Sequence, residues 1–454
     1  MGNYEFHEQT PIFEELAAKA QAADVIDSEL YVEHDVKRGL RDLNGVGVLA
    51  GLTHVSEVRA TKVVDGVKEP DYGQLFYRGY DIKDLVKGIL DSGRFGYEEV
   101  AYLLLFGDLP TREELAGFSQ LLAESRSLPA DFVRDVIMKK PSAHIMNTLS
   151  RSVLTLYAYD DHGNDISLPS IVRKCIELIA RFPELAVYGY YAFQHERNDG
   201  SLCIIPPLED GSFAENLLHI LRPDGDYTEL EARVLDACLL LHMDHGGGNN
   251  STFTTHVISS TNTDVYSVMA AALGALKGPR HGGANIKVTH MMEDLEAKVL
   301  DLKDDDEIAA YLQTLLDGEG FDHSGLIYGI GHAVYSKSDP RAEVLEKFVS
   351  MLAVEKGRTD EYEIYQRVAR IAPELIARKR KMYKGACANV DFYSGLVYQM
   401  LGLPEELFTP IFAMARVVGW SAHLIEEHAN NSKIIRPAYD GIEPERDYLG
   451  IDSR

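Results

Sequence analysis

Three histidines interrupt helical sequence, each beside glycine: His245 in HMDHGGGNN, His281 in KGPRHGGAN and His332 in YGIGHAVY. Neutral imidazole moves protons near pH 7, and glycine neighbours let backbone or ligand approach it closely. One such histidine reads as a turn residue bonded to backbone; three alike read as a proton-transfer site. His242 and His245 also flank Asp244 at i,i+3 spacing. That spacing leaves a metal pair open as an alternative, the basis of a metal-dependent hydrolase, although no HExxH motif accompanies it. Arg416 is a permanent cation inside IFAMARVVGWSAHLI, a run apolar on nearly every helical face. A guanidinium buried there needs a carboxylate, either internal, with Glu426 or Asp391 as candidates, or a substrate carboxylate held by its fork. Asp391, in NVDFYSG, opens a helix whose positive end favours its ionised form, while the apolar residues after it favour a partly buried, more basic carboxylate. Arg341 in SDPRA and Arg436 in IIRP add two guanidiniums beside prolines. Together these residues suit acid–base chemistry on a carbonyl of a small di- or tricarboxylate.

The elements that must hold them are helices. Composition and spacing predict helices over 13–23, 97–106, 228–243, 265–277, 307–316, 341–355, 361–379, 390–401 and 410–428. Strand-like stretches are confined to 45–58 and 326–330. Without βα alternation or an internal repeat, the expected class is all-α with few short strands. Asp264 is placed to cap one helix, Lys277-Gly278-Pro279 to stop it, and Thr409-Pro410 to start another. The acidic run 304–307 reads as a solvated helix entry, and 194–211, with two prolines and two glycines, as a long loop.

The chain has 454 residues, 71 acids against 45 Lys and Arg, and a net charge of −26. That charge argues against phosphate backbones and anionic membranes as partners and leaves any anion site to local cations. Hydrophobic residues at 45% and charged ones at 26% match a globular enzyme. Cys175, Cys203, Cys238 and Cys387 lack paired spacing, which argues against a zinc ribbon or disulfide framework and for a cytoplasmic protein. The acidic N-terminal stretch has neither signal nor transit character, and the apolar run 411–425, broken by Arg416 and His423, is expected to be too short to span a bilayer.

Six stretches, YRGYDI, HMDHGGGNNSTFT, GALKGPRHGGAN, GIGHAVYSKSDPRA, NVDFYSGLVY and ARVVGWSAH, resemble those of the citrate synthases of the all-helical Si type. They come in that family's order, and the resemblance covers the chain from about residue 40 to 440. The resemblance implies condensation of acetyl-CoA with oxaloacetate and water to citrate and CoA, with 2-methylcitrate synthesis from propionyl-CoA as the near alternative. It implies Asp391 as base toward the methyl group, His281 as donor to the enolate oxygen and His332 as donor to the ketone. His245, Arg341 and Arg416 would grip oxaloacetate, Arg436 would reach the neighbouring site of a homodimer, and Lys337 would meet CoA phosphate. No metal and no tightly bound cofactor are implied, CoA thioester being a co-substrate. A large domain, 1–281 with return segment 388–454, and a small CoA-binding domain, 282–387, are expected. The chain departs from the family at Ala333, where many bacterial members carry arginine, at Ala388, where proline is usual, and at Asn147, where aspartate is common.

Overall fold

Caps legible as Thr-x-x-Glu or Ser-x-x-Glu open three of the helices. Thr111, Ser212 and Thr228 form capping boxes with Glu114, Glu215 and Glu231 at the heads of Arg112–Glu124, Phe213–Leu221 and Glu229–His242. Asp264 caps Val265–Lys277 by accepting from Ser267 N–H, and Asp304 caps Asp305–Leu316. Two boundary expectations are corrected. Gly278 leaves its helix in extended conformation (φ −60°, ψ 132°), so the stop does not use a left-handed glycine. Helix Phe408–Ala429 starts before Thr409, whose hydroxyl donates instead to the Gly282 carbonyl at 2.9 Å.

The computed structural model describes residues 10–42, 46–380, 385–430 and 433–453. The chain forms two compact units, 1–52 and 53–454. The first carries helices Pro11–Asp24 and Ser28–Glu33, neither with a buried residue. The second holds the core. With 60% helix and 6% strand, the fold is all-α, as the sequence implied.

Its strands are Ser56–Val64, Val67–Tyr77 and Tyr80–Asp81, an antiparallel sheet in that order. Asp65 and Gly66 turn the first hairpin with positive φ at both positions (53° and 80°), the Asp-Gly signature of a tight hairpin. The expected strand over 45–58 is therefore displaced: only its last three residues are strand, and 43–45 lie outside the described residues. Residues 326–330 form no strand, only a bridge from Ile330 to Ala388.

Helices that pattern alone did not reveal include Leu168–Arg197 and Asn250–Ser259. The first is buried along most of its length and carries Pro183 in its interior, so neither periodicity nor breaker rules point to it. The second is rich in Ser and Thr, whose hydroxyls at Thr254, Thr255 and Ser259 bond back four residues to backbone carbonyls. Phe408–Ala429 packs on both of these, on Tyr97–Phe106 and on Glu229–His242. Among the described residues it lies in the one helix, Glu405–Ala429, long and apolar enough to cross a membrane, but 83% of its most apolar stretch is buried in protein. The core explains its apolarity. Ala284–Lys298, Asp305–Leu316, Pro340–Lys356 and Thr359–Arg380 pack among themselves and, through the first and third, on Val390–Met400.

Candidate active site

Two non-helical crossings bring His332 and Asp391 together. Gly331 N–H donates to Cys387 O at 2.7 Å and Asn389 N–H to Gly329 O at 2.9 Å, around the Ile330–Ala388 bridge. Asn389 works twice: its amide nitrogen donates to Gly331 O at 2.8 Å, and its amide oxygen caps Val390–Met400 by accepting from Asp391 N–H. Asp391 therefore starts a helix, as read from sequence. Burial nevertheless outweighs the helix end and raises its pKa to about 6; Asp339 raises it further, while Arg341 and Arg416 oppose.

His332 Nδ1 accepts from Val334 N–H and Tyr335 N–H at 3.0 and 3.1 Å. With that lone pair occupied, the neutral ring carries its proton on Nε2, ready to donate. The ring stacks on Tyr335 at 4.8 Å and lies 5.1 Å from His245. The Tyr335 hydroxyl stands 3.3 Å from His245 Nε2. Burial drives the His245 pKa well below its ordinary value, with Arg341, His332 and Arg416 adding to the effect. His281 is lowered to about 4, mainly by burial and then by Arg416. These two imidazoles are neutral at pH 7, so the pocket's positive potential comes from guanidinium groups. His281 Nε2 lies 3.0 Å from Ser251 Oγ, which accepts from Trp420 Nε1–H at 3.1 Å.

Arg416 is 1% exposed. Its Nε donates to His242 O at 2.6 Å, its guanidinium lies 4.7 Å from the Phe412 ring centre, and its Nη1 is buried with no hydrogen-bond partner among the described residues. No carboxylate among the described residues pairs with it directly; Asp244 and Asp391 support its charge from farther away. The internal salt bridge to Glu426 or Asp391 is thus not formed, and a donor remains for an incoming anion. Arg341, also buried, is held by Asp339 through Nε and Nη2 at 3.0 and 2.7 Å, leaving Nη1 outside the fork. Asp339 also caps Pro340–Lys356 and accepts from Val390 N–H at 3.3 Å, tying the arginine to the start of the Asp391 helix.

Residues 43–438 match the family described as citrate synthase, C-terminal domain. The chain belongs to the citrate synthase family. A 2-methylcitrate synthase of Corynebacterium glutamicum is 34% identical over 92% of this chain and 98% of its own length. A citrate synthase of Haloferax volcanii is 35% identical over 92% and 99%. Among solved structures, citrate synthase from Pyrobaculum aerophilum aligns with TM-score 0.71 at 30% identity, covering 90% of this chain and 95% of its own. The ternary complex of citrate synthase from Thermoplasma acidophilum with carboxymethyl coenzyme A and oxaloacetate aligns with TM-score 0.73 at 26% identity, covering 92% and 99%.

Against that family frame, the structure gathers His245, His332, Arg341, Arg416 and Asp391, with His281 beside them through Arg416. Arg436 is not gathered: it lies exposed on the C-terminal segment. Lys337 is exposed too, its ammonium 5.6 Å from the Tyr72 ring centre. The metal alternative finds its ligands turned apart. His242 Nδ1 is 2.6 Å from Cys238 O with the ring against Phe412, Asp244 is held by Ser56 and His423, and His245 faces Tyr335. Sequence reasoning missed Tyr335, Asp339, Ser251 and Trp420; the SDP cap before Arg341 was the available signal for Asp339.

Gly419 fits Phe408–Ala429 against the HMDH segment. A methyl group there would strike the Met243 carbonyl and stand 2.6 Å from Asp244 Oδ1. Gly419→Ala is expected to destabilise the fold by about 1–3 kcal/mol and to raise the oxaloacetate KM, because it displaces the backbone carrying His245. Denaturant titration together with substrate titration checks this.

Proposed function

We propose that this pocket condenses acetyl-CoA with oxaloacetate and water to citrate and CoA. The observation that carries the reading is the buried Arg416 with an unpartnered Nη1, beside a neutral His332 Nε2–H donor and a carboxylate raised to about 6. Oxaloacetate carboxylates take the free guanidinium donors of Arg416 and Arg341, with His245 alongside, and the ketone oxygen accepts from His332 Nε2–H. Asp391 removes a methyl proton from acetyl-CoA. In this reading His281, anchored beside the Ser251 hydroxyl, donates its ring proton to the enolate oxygen. The enolate carbon bonds to the ketone carbon as His332 protonates the new alkoxide. Water then cleaves the citryl thioester, releasing citrate and the CoA thiol. A carboxylate is a weak base for a thioester methyl, so most of the barrier reduction falls to the pre-aimed donors, each worth on the order of 10²–10³ in rate.

The same reading has residues 282–387 close over oxaloacetate and build the CoA site, with Lys337 near CoA phosphate. It makes the enzyme a cytoplasmic homodimer in which Arg436 completes the neighbouring site, and it needs no metal or tightly bound cofactor. A second reading, 2-methylcitrate synthesis from propionyl-CoA, is compatible with the relative named 2-methylcitrate synthase at equal coverage. One methylene is worth only about 1–3 kcal/mol of discrimination, so a few pocket contacts decide. Product identification by NMR with both thioesters, alongside kcat/KM for each, tests the proposal. Citrate as product and higher efficiency with acetyl-CoA are expected; higher efficiency with propionyl-CoA overturns the first reading for the second.

A further inference from the structure

Behind the oxaloacetate grip lies a chain of side chains that the proposed reaction does not use. His256 Nδ1 is 2.8 Å from Glu427 Oε2, His256 Nε2 is 3.2 Å from His423 Nδ1, and His423 Nε2 is 3.3 Å from the Asp244 carboxylate. Asp244 also accepts from the Ser56 hydroxyl and from Gly246 N–H, next to His245. His423 and Asp244 are fully buried, and His256 and Glu427 partly so.

Counting protons along this chain gives an odd result. Both ends are carboxylates, which only accept, so the three links need three N–H protons. Two neutral imidazoles supply two; two imidazolium ions supply four and set N–H against N–H in the middle. Only one imidazole plus one imidazolium fills every link. We infer that His256 and His423 share one extra proton, and that this single positive charge is a positioning device for the oxaloacetate site. The charge compensates Asp244, so Asp244 does not draw the Arg416 guanidinium away from its substrate-facing position.

Other charges face the pair. Glu426, on the same helix, places Oε2 3.8 Å from His423 Nδ1 and accepts from His54 N–H. Arg78 senses both Glu426 and Asp244, and His428 senses Glu427. Without the extra proton one link must face lone pair to lone pair, and the long contact from His423 to Asp244 is the one that gives way. The oxaloacetate KM then rises about tenfold, the loss of one charge-assisted hydrogen bond, while kcat changes little.

This inference rests on the oxaloacetate reading for its consequence but not for the proton count. Histidine-ring 15N NMR of the full-length enzyme at pH 7, assigned with His256→Gln and His423→Gln, is expected to show three ring protons on the pair. Two or four would overturn the proposal, whatever the enzyme's substrate. Calorimetric titration with oxaloacetate alone at pH 7 is expected to show about tenfold weaker binding to His256→Gln, whose amide still donates to His423 without carrying the charge. Wild-type affinity in that variant would overturn the positioning role. If oxaloacetate fails to bind the wild-type enzyme, the functional reading and this role fall together, while a three-proton NMR count would still stand.

Discussion

Asp391→Asn is expected to lower kcat for CoA-thiol release by about 10²–10⁴-fold while leaving oxaloacetate affinity nearly intact. The amide keeps the shape of the carboxylate and its place after the Asn389 cap, but it cannot take a proton. Since burial raises Asp391 to about 6, the wild-type kcat/KM for the thioester should fall as pH drops through that value. Stability carries the opposite signature. A folded pKa above the ordinary 3.8 means that ionising Asp391 destabilises the fold, fully above about pH 6 and not at all well below 3.8. The asparagine variant should therefore be more stable than wild type near pH 8, by at most roughly 3 kcal/mol and less for the accessible part of the group, with the gain vanishing toward pH 4. Loss of rate with gain of alkaline stability would identify a strained base. Loss of both would mark Asp391 as structural.

The second large effect is expected at Arg416. Arg416→Lys should raise the oxaloacetate KM on the order of 10²-fold, because an ammonium cannot reach His242 O and the substrate together as the planar fork does. Charge is conserved, so the part of Asp244's compensation that Arg416 supplies beside His423 is kept, and the fold should hold. Arg416→Gln removes the cation and is expected to add a stability loss on top of the binding defect, since Asp244 is fully buried nearby. Steady-state titration of oxaloacetate at saturating thioester checks both, with the Lys variant retaining most of its kcat.

Much of this site was legible in the sequence because its residues violate their surroundings. Arg416 stands out in an apolar helix, and the glycine-flanked histidines stand out at helix breaks. The all-α class followed from the same patterning, and helices such as Val265–Lys277 were placed to the residue. Other features were hidden for identifiable reasons. Asp339 was indistinguishable from an ordinary helix cap until Arg341 folded back onto it. The negatively charged exterior said nothing about the pocket, and the neutral state of His245 and His281 depends on burial that no local window contains. The link between His256 and His423 joins residues 167 apart, so nothing in either neighbourhood announces it. Leu168–Arg197 was missed because a helix buried on most sides shows no amphipathic period.

The central claim is that a buried cationic pocket admits oxaloacetate and, with it in place, Asp391 activates the second substrate. Its most direct test is the rate of CoA-thiol release from acetyl-CoA by the wild-type enzyme, measured with and without oxaloacetate. Release should be rapid and stoichiometric with citrate when oxaloacetate is present and negligible when it is absent. Thiol release at a comparable rate without oxaloacetate would contradict the account.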